Sequence, residues 1–218
     1  MLNIPLFPLN TVLFPGMPVF LHIFEERYKK MVEYCMENEQ LFGVVLIRTG
    51  QEALGPLAEP FHIGCTAQIT QVQHQPQDRF NLLAIGKERF NTISLDAESS
   101  PYLIGNVELF PFQDCESDQA RREADALRPL VKRHLALVAK MENAQVPEVE
   151  LSADPGLLGY LSASILQVPD VEKQALLSIA SIVDLLIRLR AIYRKETALL
   201  EVITGHSGDN LPGKFSQN

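Results

Sequence analysis

The sequence predicts an α+β fold in which a small, strongly curved β-sheet or barrel precedes a group of helices. Three observations carry this prediction. The apolar opening is divided by prolines 5, 8, 15 and 18 into pieces too short for helices. Short β-branched runs then follow one another about every 8–12 residues as far as residue 115, which is typical of strands joined by turns. Beyond residue 116 the chain is rich in alanine, leucine, arginine and lysine at helical spacing, and strands followed by helices indicate an α+β chain.

The opening segment is predicted to form edge strands, strand starts or tight turns. Proline fixes φ and has no backbone N–H, so it is excluded from the middle of a fully paired strand. The apolar residues between the prolines must then be buried by partners elsewhere in the chain.

Residues 25–39 are predicted to form a helix, because apolar residues recur at helical spacing from Tyr28 to Met36. Strands are predicted at residues 42–47, 63–72, 80–86, 90–95 and 103–110. In the second of these, apolar and polar residues alternate in part, which indicates one solvated face. Gly86 is predicted to break the chain between the third and the fourth.

Further helices are predicted over residues 119–143, 155–166 and 170–177, and from a cap at Ser181 to about Gly205. Pro129 is expected to kink or interrupt the first of them. The predicted organisation is a β-rich subdomain at residues 1–115, a helical subdomain at residues 116–205 and a flexible tail at residues 206–218.

The composition disfavours several classes of function. The net charge of the chain is −8, and residues 1–115 carry 7 lysines and arginines against 13 aspartates and glutamates, a net charge of −6. A protein that binds a phosphate backbone needs a basic face, so nucleic acid is an unfavoured partner. The N-terminus lacks the pattern of a signal peptide, and no apolar run approaches the ~20 residues of a membrane span. Three cysteines at wide spacings suit reduced thiols, which predicts a cytoplasmic protein.

No catalytic residue, metal site or cofactor is predicted. The five histidines are scattered without zinc-ligand spacing. The Gly-Lys pairs at residues 86–87 and 213–214 lack the remaining residues of a phosphate-binding loop. Cys65 could act as a nucleophile assisted by His62, but no third group is evident to orient them. A buried structural cysteine is the favoured interpretation.

A series of short motifs resembles the Lon substrate-binding (LON N-terminal) domain. The opening reads P-L-F-P-L at residues 5–9, V-L-F-P-G at 12–16 and I-F-E-E-R-Y at 23–28, with Glu26 where the family often has proline. Similar blocks follow as F-G-V-V at residues 42–45, I-G-C-T-A-Q-I at 63–69, G-K-E-R-F at 86–90 and E-K-Q-A-L-L at 172–177. The resemblance extends over residues 3–204.

The resemblance implies a PUA-like curved sheet or pseudo-barrel followed by a C-terminal helical bundle. It also implies a framework role for a set of motif residues, with Phe24 and Tyr28 filling the core. These residues are Pro8, Phe14, Pro15, Gly16, Phe24, Glu25, Tyr28, Gly64 and Gly86. In full Lon proteases the domain precedes an ATPase and a peptidase, neither of which fits into this chain. A stand-alone, non-enzymatic form of the domain is therefore expected.

Six residues are candidates for binding polypeptide, and each also has a structural interpretation. They are Met17, Phe20, Arg27, Arg89, Phe110 and Phe112. The two arginines are either donors to a bound peptide or, as is favoured, partners of nearby carboxylates and strand-end carbonyls. Phe110 and Phe112 either line an apolar groove or, as is favoured, pack a domain junction. Met17 and Phe20 carry the same two alternatives.

The predicted function is a non-catalytic polypeptide-binding module that resembles the substrate-recognition domain of Lon and serves protein quality control. Its expected partners are unfolded or degron-bearing polypeptide and a protease or chaperone, without a membrane or a cofactor. The alternative is an RNA-binding PUA-like protein, which the acidic β-rich half disfavours. A stand-alone peptidase ranks third. The sequence makes no prediction of the oligomeric state.

Overall fold

The computed structural model describes residues 1–52, 55, 57–77, 79–142, 144 and 150–206. Within these residues, seven strands precede four helices, and a further helix follows the second strand. The strands are β1 (Leu2–Leu9), β2 (Pro18–Ile23), β3 (Phe42–Thr49), β4 (Glu59–Pro60), β5 (Ile63–Gln75), β6 (Arg79–Asp96) and β7 (Leu103–Leu109). The helices are α1 (Glu26–Glu37), α2 (Asp118–Met141), α3 (Pro155–Ile165), α4 (Asp170–Leu177) and α5 (Ile182–His206). The predicted α+β class is confirmed.

The sheet closes on itself. Neighbouring strands follow the order β1-β7-β6-β5-β3, and β1 pairs with β3 as well as with β7, so these five strands form a barrel. The short strand β4 pairs with β3, and β2 pairs with the first half of β6. Within a closed sheet, each strand has a neighbour on both sides over at least part of its length. The strand β2 is not part of this ring and pairs with β6.

The first strand shows how a proline-rich segment enters such a barrel. Residues 2–6 of β1 pair with β7, and residues 6–9 pair with β3. Leu6 alone is paired on both sides, while Pro5 faces only Ile104 of β7 and Pro8 only Val45 of β3. Each proline therefore lies where β1 has one partner strand, which is the condition under which a missing N–H is tolerated.

Gly86 does not break its strand, and the prediction of two separate strands was wrong. β6 runs through Gly86 as an 18-residue strand. The backbones of Gly86 and the loop after Phe14 are joined by two hydrogen bonds, from Gly16 N–H to Gly86 O (2.8 Å) and from Gly86 N–H to Met17 O (2.9 Å). A Cβ on Gly86 would lie 2.5 Å from Phe14 O. Glycine is thus required for close backbone approach rather than for a chain break.

The barrel interior is filled mainly by aromatic and branched side chains. The Phe7 ring stacks on the Tyr28 ring at 4.1 Å between centroids, and Phe42 is fully buried beside them. Phe90, also fully buried, belongs to a second cluster with Leu6 and Val107. The helix α1 contributes Met31 and Cys35 to the first cluster, as its predicted apolar face requires.

The chain divides into two compact units. One contains Met1–Gln113 and Tyr160–Ser181, and the other contains Asp114–Gly159 and the chain from Ile182 onward. The first division lies close to the predicted boundary at residue 115. The predicted helical subdomain, however, contributes Tyr160–Ser181 to the unit that holds the barrel.

The second unit is built on contacts between α2 and α5. Pro129 lies inside α2, which continues through it to Met141. Glu123 forms an ion pair with Arg190 across the two helices. His134 meets the Tyr193 ring edge-on, with 5.2 Å between centroids. No helix among the described residues has the length and apolar character to cross a membrane. The predicted tail lies outside the described residues from 207 onward.

Candidate functional site

Arg89 is the most deeply buried of the six candidate residues, with 2% of its surface exposed. Its Nη1 donates hydrogen bonds to Leu177 O (2.7 Å) and Ile179 O (2.6 Å). Leu177 is the last residue of α4, where carbonyl groups lack intrahelical partners and a cation is favoured. Arg89 therefore ties the end of α4 to strand β6, within the unit that holds the barrel.

Aromatic rings enclose the Arg89 guanidinium. Its central carbon lies 3.8 Å from the Phe112 ring centroid, 4.8 Å from that of Phe110 and 5.7 Å from that of Tyr160. The Phe112 and Tyr160 rings stack on each other at 4.7 Å. These contacts favour the packing role of Phe110 and Phe112, because their rings make cation–π contacts with the buried Arg89 guanidinium.

Arg27 is held mainly by Glu25 and Tyr28, its neighbours in the sequence. It forms an ion pair with Glu25 at 3.0 Å, donates to Gly55 O at 3.3 Å and lies 4.7 Å from the Tyr28 ring centroid. Its side chain is only 14% exposed. The arrangement matches the local pairing that the sequence favours over a peptide-binding role.

Met17 is half-buried and packs against the barrel core. Its sulfur accepts a hydrogen bond from Ser164 Oγ at 3.2 Å. Phe20 differs from the other five candidates, because 78% of its surface is exposed. Of the six, Phe20 is the one with most of its surface exposed.

Most framework residues are buried or conformationally constrained, as the resemblance implies. Phe14 and Tyr28 are 1% and 4% exposed, and Gly16 has a φ of +80°. Pro8 and Pro15 are buried, and Glu25 precedes the first turn of α1, where its carbonyl accepts from Tyr28 and Lys29. A Cβ on Gly64 would meet the Phe90 ring at 2.5 Å.

Phe24 is the exception, and its predicted place in the core was wrong. It is 41% exposed. Exposed and buried residues alternate strictly along β2, from exposed Pro18 to buried Ile23. Phe24 continues this alternation onto the outer side, near His22, at 6.0 Å between ring centroids.

Phe20 and Phe24 belong to a surface that we call the β2–β6 face. It comprises Phe20, His22 and Phe24 from β2 and its end, Asn81 and Leu83 from β6, and Gln71 and Gln73 from β5. The register places Leu83 between Phe20 on one side and Gln71 on the other, and Asn81 between His22 and Gln73. A groove of about 840 Å³ lies along these three strands.

The groove is apolar and amide-rich rather than charged. Among its described lining residues there is no lysine, arginine or carboxylate. The His22 ring and the Asn81 side chain share a hydrogen bond, from Nδ1 to Oδ1 at 2.8 Å. Amide side chains both donate and accept, so they complement a peptide backbone, while Phe20 offers an apolar contact. This chemistry suits an extended polypeptide more than a small charged ligand.

Phe20 was predicted as a binding candidate from its sequence, whereas Phe24 was predicted for the core and the other residues of this face were not predicted as candidates. The strand alternation of Phe20, His22 and Phe24 could have located the β2 residues. The residues of β5 and β6 join them only through the register of long-range pairing.

The described residues contain no group of three or more histidine, cysteine or acidic side chains that could hold a metal ion. Cys65 is fully buried, and its Sγ donates to Thr66 O at 3.3 Å. Burial raises the pKa of the Cys65 thiol to about 12. A thiol with so high a pKa is protonated at neutral pH and is a poor nucleophile, which agrees with the structural role expected of it.

Two curated relatives illustrate the sequence similarity. The chain is 26% identical over 211 residues to a Lon protease of Anaeromyxobacter dehalogenans, which covers 93% of this chain and 25% of the relative. It is 28% identical over 192 residues to Lon protease 2 of Myxococcus xanthus. That match covers 87% of this chain and 23% of the relative. The chain thus spans about a quarter of the length of these relatives.

Solved structures share the fold. A Lon N-terminal domain protein from Xanthomonas campestris matches with a TM-score of 0.67 at 24% identity, over 88% of this chain and 98% of that one. The N-terminal domain of the Mycobacterium avium complex Lon protease matches with a TM-score of 0.64 at 16% identity. That match covers 90% of this chain and 98% of the solved domain. The family model of the ATP-dependent protease La (LON) substrate-binding domain matches residues 3–194. The chain belongs to the LON substrate-binding domain family.

Proposed function

We propose that this chain is a non-catalytic polypeptide-binding module of protein quality control, which holds unfolded or degron-bearing segments against the β2–β6 face. The observation that carries the proposal is the exposure of Phe20, 78%, above a groove lined by amides. Exposing a large aromatic ring to water is unfavourable unless a partner covers it.

The chemistry of the groove fits a partner of variable sequence. An extended chain presents alternating N–H and C=O groups whatever its side chains are. Gln71, Gln73 and Asn81 can pair with those groups, and Phe20 with Leu83 can cover one apolar side chain. Recognition of this kind distinguishes unfolded from folded polypeptide, because folded proteins keep both features inside.

Family membership supports the same proposal. The matching family model describes a substrate-binding domain, and the curated relatives are named Lon proteases. Because the part of these relatives that this chain matches is described as substrate-binding, we assign recognition to this chain. A protease or chaperone that receives the bound segment is the partner we propose. Free cysteines at 35, 65 and 115 support a cytoplasmic setting.

The test is binding of a permanently unfolded protein, such as reduced and carboxymethylated lactalbumin, measured by fluorescence anisotropy without ATP. We expect wild type to bind the unfolded protein and not its folded form. Phe20→Ser should weaken binding about tenfold or more, since removing a buried aromatic contact costs ~1.5–3 kcal/mol.

Ile93→Ser is the matched control, because Ile93 is 47% exposed on β6 outside the groove. It should bind as wild type does. Equal binding by Phe20→Ser and wild type would refute the assignment of the face, and absence of binding by wild type would refute the function. A gel shift with structured RNA, or specific cleavage of casein, would instead favour the RNA-binding or the peptidase alternative.

A further inference from the structure

One strand of the barrel unit has an edge that no described strand occupies. β3 pairs with β5 only at Cys65, Thr66 and Ala67, whereas β5 continues to Gln75. Residues 68–75 of β5 pair with β6 on one side. We call the opposite side of these residues the β5 edge.

The path of the chain before β3 explains why the β5 edge is not covered by β3. Helix α1 ends at Glu37, and Glu39 has a φ of +51°, which turns the chain. Gln40 N–H then donates back to Cys35 O, at 2.9 Å. The chain reaches the sheet at Phe42, opposite Ala67, so the residues that precede β3 are wound into α1 rather than laid along β5.

A cavity follows the β5 edge. It measures about 560 Å³ and is lined by five consecutive residues of β5, from Gln68 to Val72, facing the end of α1. Glu39 and Gln40, which come just before β3, also line the cavity, so it lies on the side of β5 that β3 leaves uncovered. Unpaired backbone groups along a strand edge are a template for an added strand.

An apolar pocket of about 190 Å³ continues this cavity. It shares Met36 and Val72 with it and adds Val32 and Phe80. A side chain of the size of valine or leucine would fill it. Because neighbouring side chains of a strand point to opposite faces, an added strand would place every second residue toward this pocket.

The rim of the two cavities is acidic. Glu33 and Glu37 on α1 and Glu39 after it line them, and no lysine or arginine does so among the described lining residues. All three glutamates are exposed. Basic residues on an incoming chain would therefore be favoured beside the apolar residue that fills the pocket.

We propose that the β5 edge binds an extended polypeptide by strand addition, and that it prefers segments in which apolar residues alternate with lysine or arginine. The β5 edge shares Gln71 and Gln73 with the β2–β6 face but does not include Phe20. The inference goes beyond the function proposed above, because it concerns the backbone edge of β5 and can fail without it.

The probe is a fluorescein-labelled ten-residue peptide that alternates lysine and valine, titrated into the full chain and followed by anisotropy. In a strand, the N–H groups of every second residue face the same neighbouring strand. N-methylation of these residues of the peptide should weaken its binding about tenfold or more, because it removes the hydrogen bonds of strand addition and keeps the charge. Hydrogen exchange of the amides of residues 68–75 should slow when the unmodified peptide is added.

Charge reversal tests the rim. The double variant E33K/E37K should bind the peptide about tenfold more weakly than wild type. E88K/E98K changes the net charge equally at two exposed glutamates of β6 and its following turn and should bind as wild type does. Phe20→Ser should also leave this peptide's affinity unchanged.

Equal affinity of the N-methylated peptide, equal effects of the two charge reversals, or absence of binding by the unmodified peptide would each overturn strand addition at the β5 edge. The proposed function would then still rest on the assay with unfolded protein. Loss of peptide binding in Phe20→Ser would overturn the assignment of this peptide to the β5 edge rather than to the groove beside Phe20.

Discussion

Replacement of Arg89 by methionine should destabilise the barrel unit severely, although the new side chain is of similar length and apolar. The guanidinium makes two hydrogen bonds to carbonyl groups at 2.6 and 2.7 Å and lies 3.8 Å from the Phe112 ring centroid. A hydrogen bond from a charged donor contributes about 1.5–3 kcal/mol, and a desolvated cation–π contact about 2 kcal/mol. Methionine also leaves the carbonyls of Leu177 and Ile179 without this donor.

These contributions are not additive, and methionine recovers part of the apolar contact. We therefore expect a loss of about 3–5 kcal/mol in the free energy of unfolding. Arg89→Lys keeps the charge but cannot reach two carbonyls with one planar group, so it should lose about half as much. The assay is urea unfolding followed by far-ultraviolet circular dichroism, since the chain has no tryptophan.

Arg48→Ala is the control. Arg48 pairs with Glu59 at the surface, where both side chains are about half exposed, and such pairs contribute about 0–1 kcal/mol. If Arg89→Met changed the unfolding midpoint no more than Arg48→Ala does, the anchoring role of Arg89 would be wrong. A variant that fails to fold while Arg48→Ala folds normally would support it.

Three further outcomes are expected. Burial lowers the pKa of His134 below its usual value of about 6.5, so stability should fall as pH drops below that value. In His134→Leu this part of the loss should disappear. If the wild-type protein had the same unfolding midpoint in urea at pH 5.5 as at pH 7.5, the reasoning would be contradicted. Burial raises the pKa of Cys35 and Cys65 to about 12, so a thiol reagent should label Cys115 first, as mass spectrometry would show; early labelling of Cys65 would argue against its burial. Gly64→Ala should cost about 1–3 kcal/mol in urea unfolding, because its Cβ would lie 2.6 Å from Val44 O; a neutral effect would mean that the strands shift freely.

The sequence was a good guide wherever a structural feature depends on near neighbours in the chain. The helix α1 follows from the spacing of Tyr28, Met31 and Cys35, and it was predicted within two residues at each end. Arg27 was expected to pair locally and does so with Glu25. The proline-broken opening was read as strand and turn because proline restricts its own residue.

Features that depend on distant contacts were predicted less well. Gly86 was predicted to break its strand, because its close approach to Phe14 O, some seventy residues earlier in the chain, leaves no pattern in the residues beside it. Phe24 was placed in the core by its motif, whereas the side of β2 on which it falls is set by pairing with β6. The partners of Arg89 lie 88 and 90 residues away in the chain.

The sequence by itself determined the family and the α+β class, because these follow from local motifs and periodicity, and it named Phe20 as a candidate without deciding between packing and binding. Tertiary structure alone decided that Phe20 is exposed and shares a groove with Asn81 and Leu83, and that none of the described strands pairs with the β5 edge beyond Ala67. Both depend on strand register, which is fixed by packing of the whole barrel. A one-residue change in register would move every side chain of a strand to the other face, so no single segment contains that information.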